Sequence, residues 1–149
     1  MKNSNSTKAA PSAGSGFSYS RPFFEDLVDS ALAHAKKIGA TDAAAEASEG
    51  SGLSVSVRKG ELENVERNRD KSLGITVYVG QRRGSASTSD MSSASLAETV
   101  AKACSLASYG AVDEAAGLAD AARMATAIPD LSLYHPWALT AEQAIELAT

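Results

Sequence analysis

Apolar and polar residues alternate with a period of two through the middle of the chain, between residues 53 and 79. The apolar positions of this alternation are Leu53, Val55, Val57, Leu73, Ile75, Val77 and Val79. A period of two is typical of β-strands with one buried face, so the pattern predicts a meander of short antiparallel strands. We expect tight hairpin turns at Lys59-Gly60 and Asp70-Lys71, since Gly60 can adopt the positive φ that such turns require.

The flanks of this meander are more ambiguous. Residues 42–49 alternate only weakly and are rich in alanine, so a strand there depends on its neighbours. Gly50-Ser51-Gly52 indicates either a turn or a bulge in one longer strand, and the sequence leaves both open. Residues 80–84 are expected to close a further hairpin, followed by a short polar strand at residues 85–89.

Segments with helical spacing lie on both sides of the strands. In residues 23–38 and 92–108 the apolar positions recur every three or four residues, with Gly39 ending the first helix and Ser92 capping the second. Ser95 with Glu98 is an alternative capping box. The alanine-rich residues 121–127 could form a short helix, and a capping box at residues 140–143 predicts a helix that is cut off at residue 149.

Together these elements predict an α/β (α+β) domain of two layers, with helices 23–38 and 92–108 packed on one face of a mostly antiparallel sheet. Residues 1–20 are expected to be a disordered tail, 21–127 the domain, and 128–149 a connector and the start of a truncated helix. The side chains expected to face the helices are Leu53, Val55, Val57, Ile75, Val77 and Val79. Arg58, Arg67 and Arg69 are expected to stay exposed.

Composition narrows the possible function classes. The chain has 149 residues, a net charge of -4 and a single cysteine, Cys104, so it cannot form an internal disulfide. Cys104 lies within a segment of helical spacing, which favours burial of its side chain over a role as a reactive thiol. No apolar run approaches the roughly 20 residues of a spanning helix, and we expect no membrane association.

The search for catalytic chemistry is negative. Neither an HExxH zinc motif nor a GxSxG nucleophile motif occurs, and the two histidines, His34 and His135, are far apart in sequence. The carboxylates Glu61, Glu63 and Glu66 follow a strand without a proton-transfer partner and indicate a solvated face. We therefore predict no catalytic, metal-binding or cofactor-binding residue in this chain.

The one candidate surface that the sequence suggests is a polar edge strand beside two arginines. Its residues are Arg82, Arg83, Ser85, Ser87 and Ser89. An edge strand offers unpaired backbone groups, and positive charge beside it favours an extended acidic segment of a peptide or of a partner protein. The alternative reading is a solvated hairpin tip with no binding role.

A nucleic-acid-binding function is a weaker alternative. The order of helix, antiparallel strands and helix, with a local excess of basic residues between Arg58 and Arg83, invites comparison with double-stranded-RNA-binding domains. Those domains carry a lysine cluster at the start of the second helix, whereas here only Lys102 lies in that helix. We therefore expect no nucleic-acid partner.

Several segments in order resemble one known family, the TldD/PmbA peptidases. They are residues 52–58, 60–69, 73–80, 83–90, 116–120 and 130–136. The resemblance is to the N-terminal domain of that family, covers residues 23–149, and is closer to the PmbA (TldE) branch than to the TldD branch. The string LGITVYVGQRRGSASTSD at residues 73–90 carries most of that distinction.

The resemblance implies a cytoplasmic metallopeptidase made of two proteins, in which this chain and a TldD-like subunit form a heterodimer. It implies substrates that are unfolded or leader peptides, of the microcin-precursor type. It also implies that a divalent metal, zinc or iron, is bound by the TldD-like partner, so that no cofactor belongs to this chain and it is not catalytic by itself. A stand-alone module that binds a peptide or a partner is the alternative.

Overall fold

The secondary structure follows the predicted order of helix, strands and helix. A computed structural model describes residues 17–149, so most of the predicted tail lies outside the described residues. The elements are α1 (Arg21–Lys37), β1 (Asp42–Arg58), β2 (Glu61–Val79), β3 (Arg82–Thr88), α2 (Ser93–Tyr109), a 3₁₀ turn (Ala121–Arg123) and α3 (Ala141–Ala148). The strands form one antiparallel sheet in the order β1-β2-β3. The predicted α+β class is confirmed.

Strands β1 and β2 form one long hairpin. Their ladder runs from the Asp42–Tyr78 pair to the Arg58–Glu61 pair. The turn between them is Lys59-Gly60, where φ is 55° and 82°, so the turn predicted at this position is confirmed.

The second predicted turn, at Asp70-Lys71, is wrong. These two residues lie inside β2, paired with Gly50 and Glu49 of β1. Gly50-Ser51-Gly52 likewise stays within β1, and the irregularity in the ladder occurs instead at Ser56/Val57. A polar pair such as Asp-Lys is compatible with a turn, but the ladder continues through these two residues, and its backbone pairing outweighs that local preference.

The core lies between one face of the sheet and helices α1 and α2. Its buried apolar side chains come from α1, the C-terminal part of β2 and α2, and Val77, Val100, Ala31, Ala35, Ala103 and Ala107 are all inaccessible to solvent. Leu73 and Ile75 complete the β2 row, and Val79 packs against it. The predicted inward orientation of Ile75, Val77 and Val79 is confirmed.

The expectation that Leu53, Val55 and Val57 also face the two helices is wrong. These side chains alternate correctly with their neighbours and are half-buried, but they do not belong to the core. Each helix has 17 residues and is about 25 Å long, whereas strands of 17 and 19 residues extend for roughly 55 Å or more. Helices α1 and α2 therefore cover only one half of the hairpin.

The half of the hairpin that α1 and α2 leave uncovered projects from the core. Residues 61–72 of β2 are all exposed, including Arg67 and Arg69, as expected for these arginines. Helix α3 contacts β1 and gives this region a second layer. A two-stranded hairpin alone is marginally stable in water, so the packing of α3 contributes to its order.

Side-chain caps define the helix ends. Ser20 and Ser92 each accept a hydrogen bond from the backbone three residues later, at Phe23 and Ser95. Thr140 and Gln143 form the predicted capping box of α3. The expected short helix at residues 121–127 is limited to a single 3₁₀ turn.

Ser18 and Tyr19, which the sequence assigned to the tail, contact the sheet. The backbone N–H of Ser18 donates to Glu49 Oε1 at 2.8 Å, and that of Tyr19 donates to Glu49 Oε2 at 3.1 Å. The tyrosine ring also stacks on Phe23, with ring centroids 4.5 Å apart. Desolvation acts to raise the pKa of Glu49, but hydrogen bonds from Ser18 and Tyr19 outweigh it and hold the pKa below its ordinary value.

None of the helices in residues 17–149 has the length and apolar character that a membrane-spanning helix requires.

Candidate functional site

The structure moves the two candidate arginines from a hairpin tip into a strand. The turn between β2 and β3 consists of Gly80 and Gln81 alone, and Arg82 and Arg83 are the first two residues of β3. The prediction of a longer connection at residues 80–84 is therefore wrong. Ser85 and Ser87 lie in the same strand, and Ser89 follows its end. All five candidate residues are exposed.

The alternation of β3 divides these residues between two faces of the sheet. Gly84 is buried against α2, which identifies the inner face of β3. Arg83, Ser85 and Ser87 therefore point to the opposite side, here called the outer face, while Arg82 belongs to the inner side. The two arginines do not form one patch, and Arg83 alone joins the serines.

The outer face is a shallow surface built from small side chains. It is formed by Ala44, Glu46, Gly74, Thr76, Ser85 and Ser87, which line a cleft of ≈ 500 Å³. A hydrogen bond of 2.9 Å joins Thr76 Oγ1 to Ser85 Oγ. The register places Gly74 opposite both Glu46 and Ser87, so the cleft crosses all three strands.

Reasoning from sequence found only the β3 part of this surface. The contributions of Ala44 and Glu46 depend on the register between β1 and β2, which the sequence did not establish. The outer position of Thr76 follows from the alternation, because it lies between the buried residues Ile75 and Val77.

Strand β3 is the edge of the sheet, and the segment after α2 approaches one end of that edge. The N–H of Asp113 donates to the carbonyl of Gln81 at 2.9 Å. Gly110 lies beside Arg83, since a Cβ added to this glycine would be 3.3 Å from the Arg83 carbonyl oxygen. The Ser85–Ser87 end of β3 pairs with β2 on one side and has no strand on the other among the described residues. That end can accept an added strand.

The side chains of this surface are suited to binding rather than to bond cleavage. Within residues 17–149, no group of three or more His, Cys, Asp or Glu side chains is positioned to hold a metal ion. Cys104 packs against the core, and desolvation raises its pKa, which disfavours the reactive thiolate. Hydroxyl groups, exposed strand backbone and one cation can recognise an extended peptide or a flat protein surface.

Comparison with protein families and curated proteins gives consistent matches. Residues 43–107 match the family model described as PmbA/TldA metallopeptidase domain 1. The chain is 46% identical over 129 residues to "Metalloprotease PmbA" of Escherichia coli O157:H7, covering 86% of this chain and 28% of that protein. It is 49% identical over 98 residues to "Metalloprotease PmbA homolog" of Haemophilus influenzae, covering 66% of this chain and 22% of the relative. The chain thus spans about a quarter of the length of these relatives.

A solved structure shares the fold. A Bacteroides thetaiotaomicron protein described as a modulator of DNA gyrase superposes with a TM-score of 0.66 at 29% sequence identity. The match covers 74% of this chain and 25% of that one.

Proposed function

The chain belongs to the PmbA/TldD metallopeptidase family, and from this premise we propose that it is the first domain of a PmbA-like subunit that acts in peptide trimming. In this proposal the subunit pairs with a TldD-like protein, and together they process unfolded or leader peptides. The observation that carries it is the 46% identity over 86% of the chain to a metalloprotease. The proposed site of action is the cytoplasm.

The proposal assigns the divalent metal, zinc or iron, to the TldD-like subunit. The described residues do not fit a metal ion, because they lack a group of three or more candidate ligands. No chemical step is therefore assigned to any residue of this chain. Its proposed contribution is to hold the partner or the peptide, and the outer face with the open end of β3 is the surface we propose for that contact.

Arg83 provides a direct test of this surface. The Arg83→Ala variant of the full-length protein should bind the TldD-like subunit or an extended acidic peptide roughly three- to tenfold more weakly at low ionic strength, with a smaller loss at high salt. The Arg82→Ala variant is the matched control, since its side chain belongs to the other face, and it should change binding by less than about twofold. Surface plasmon resonance at two salt concentrations measures both.

The unfolding midpoint should not change in either variant, because both side chains are exposed. Equal binding by Arg83→Ala and the unmodified protein at low salt would remove the outer face as the contact surface. Sedimentation of the full-length protein with the TldD-like subunit tests the pairing itself. A single species with the summed mass is expected, whereas two separate species would favour a stand-alone binding module.

A further inference from the structure

A second cleft lies on the inner face of the hairpin, in the half that α1 and α2 leave uncovered. It has a volume of ≈ 420 Å³, and the residues that matter for its chemistry are Ser51, Leu53, Arg67, Arg69 and Trp137. It lies across the sheet from the outer face and shares no residue with the cleft described there.

The register explains how two cations and an apolar floor meet in this cleft. Leu53 pairs with Arg67, and Ser51 pairs with Arg69, so all four side chains emerge on one face of the hairpin. Arg67 and Arg69 are two residues apart on one strand, which separates their Cα atoms by about 7 Å. Leu53 is half-buried beside them. The cleft therefore offers positive charge next to apolar surface.

Trp137 gives the cleft an aromatic wall. It comes from the irregular segment before α3, and 76% of its surface is exposed although it is the chain's one tryptophan. A large exposed aromatic ring beside guanidinium groups is typical of recognition sites, because it packs against apolar or planar groups with little loss of side-chain entropy.

Carboxylates of the chain itself already lie near both arginines. Arg69 acts on the Glu49 carboxylate by its charge, and it also donates to Ser18 Oγ at 3.2 Å. Glu142, at the start of α3, is near enough to Arg67 for their charges to interact. Guanidinium and carboxylate groups form charge-assisted hydrogen bonds, so a carboxylate is an anion that Arg67 and Arg69 can bind.

We propose that the cleft binds a peptide carboxylate whose neighbouring residue is apolar or aromatic. The carboxylate lies against Arg67, with Arg69 adding charge, while the neighbouring side chain packs on Leu53 and Trp137. The carboxylate can come from an Asp or Glu side chain or from a peptide C-terminus. A peptide is favoured over a nucleotide because the two arginines lie along an exposed part of β2, next to the aliphatic side chain of Leu53. The inference rests on the cleft alone and is independent of the proposed peptidase function.

Intrinsic fluorescence makes the binding directly measurable, since Trp137 is the only tryptophan in the 149-residue chain. The chain is titrated with acetyl-Leu-Glu-Phe-amide, with the neutral acetyl-Leu-Gln-Phe-amide, and with acetyl-Leu-Gln-Phe bearing a free C-terminus. ADP serves as the nucleotide probe. We expect a saturable change in Trp137 emission with at least one carboxylate-bearing peptide. The affinity for that peptide should be at least about fivefold higher than for the neutral peptide. Which carboxylate peptide binds identifies the source.

Substitutions separate this site from general charge attraction. Arg67→Gln should weaken binding of the carboxylate peptide at least about fivefold, whereas Arg58→Gln, on the same hairpin but outside the cleft, should change it by less than about twofold. The Trp137→Leu variant lacks the fluorescent side chain, so its binding is measured by calorimetry. Its affinity for the carboxylate peptide should fall by a similar factor. Equal affinity for the neutral peptide, equal loss in both arginine variants, or tighter binding of ADP than of either carboxylate peptide would overturn the proposal.

Discussion

Replacement of Gly84 by alanine is expected to destabilise the domain by about 3 kcal/mol, the largest effect of any single methyl group added to the sheet. Gly84 is where β3 meets α2, and a Cβ at this position would be 2.1 Å from the Ala103 carbonyl oxygen and 2.4 Å from the Ala107 nitrogen. Both atoms are backbone, so no side-chain rotation relieves the clash. Helix α2 must move away from the sheet, and the core between them loses contact.

Gly74→Ala is the matched control for this prediction. Gly74 is in the neighbouring strand β2, and a Cβ there meets no atom within 4 Å. This variant should change the free energy of unfolding by less than about 1 kcal/mol, in either direction. Urea denaturation of both variants measures the difference. If Gly84→Ala were as stable as Gly74→Ala, the close packing of α2 on β3 would be wrong.

Truncation of Val77 to alanine is expected to cost about 2 to 3 kcal/mol of unfolding free energy. Val77 is inaccessible to solvent and belongs to the core cluster; it lies between Ile75 and Val79 in the β2 row and pairs with Ala43 of β1 and Gly84 of β3. Removal of two methyl groups from this position leaves a cavity that the surrounding alanines of α1 and α2 are too short to fill.

The Thr76→Ala variant is the matched control, because Thr76 is next to Val77 in β2 but lies on the other face of the sheet. Thr76 is on the outer face, is only half-buried, and makes one hydrogen bond to Ser85. Its loss should cost about 1 kcal/mol or less. Equal losses at the two positions, or a larger one at Thr76, would contradict the assignment of the inner and outer faces.

The two turns predicted in the β1–β2 region show which parts of the fold are determined by local sequence. The turn at Lys59-Gly60 was predictable because Gly60 supplies a positive φ next to a break in the alternation. Asp70-Lys71 carries a similar polar signal, yet it lies in a ladder of 17 paired positions on β1, which is a long-range property. The turn propensity of two residues cannot reveal whether another strand pairs with them.

The candidate surfaces were predictable to a smaller extent. Ser85 and Ser87 were found because a polar alternating strand signals an edge. The placement of Arg82 and Arg83 on opposite faces could not be predicted, because it depends on the length of the turn before them. The turn is shorter than predicted, so both arginines lie in β3 and not in a loop. Trp137 belongs to an irregular segment with no periodicity, so nothing in the sequence indicated that it lies beside Arg67 and Leu53. Those contacts depend on tertiary packing alone.

The central claim, that this chain is the first domain of a PmbA-like subunit that acts only with a TldD-like partner, is tested most directly by a peptide cleavage assay. The full-length protein, the partner and an equimolar mixture are each incubated with an unfolded leader peptide, and the products are followed by mass spectrometry. We predict cleavage by the mixture and none by the full-length protein alone. Cleavage by the full-length protein alone, or a mixture no more active than the partner alone, would contradict this account.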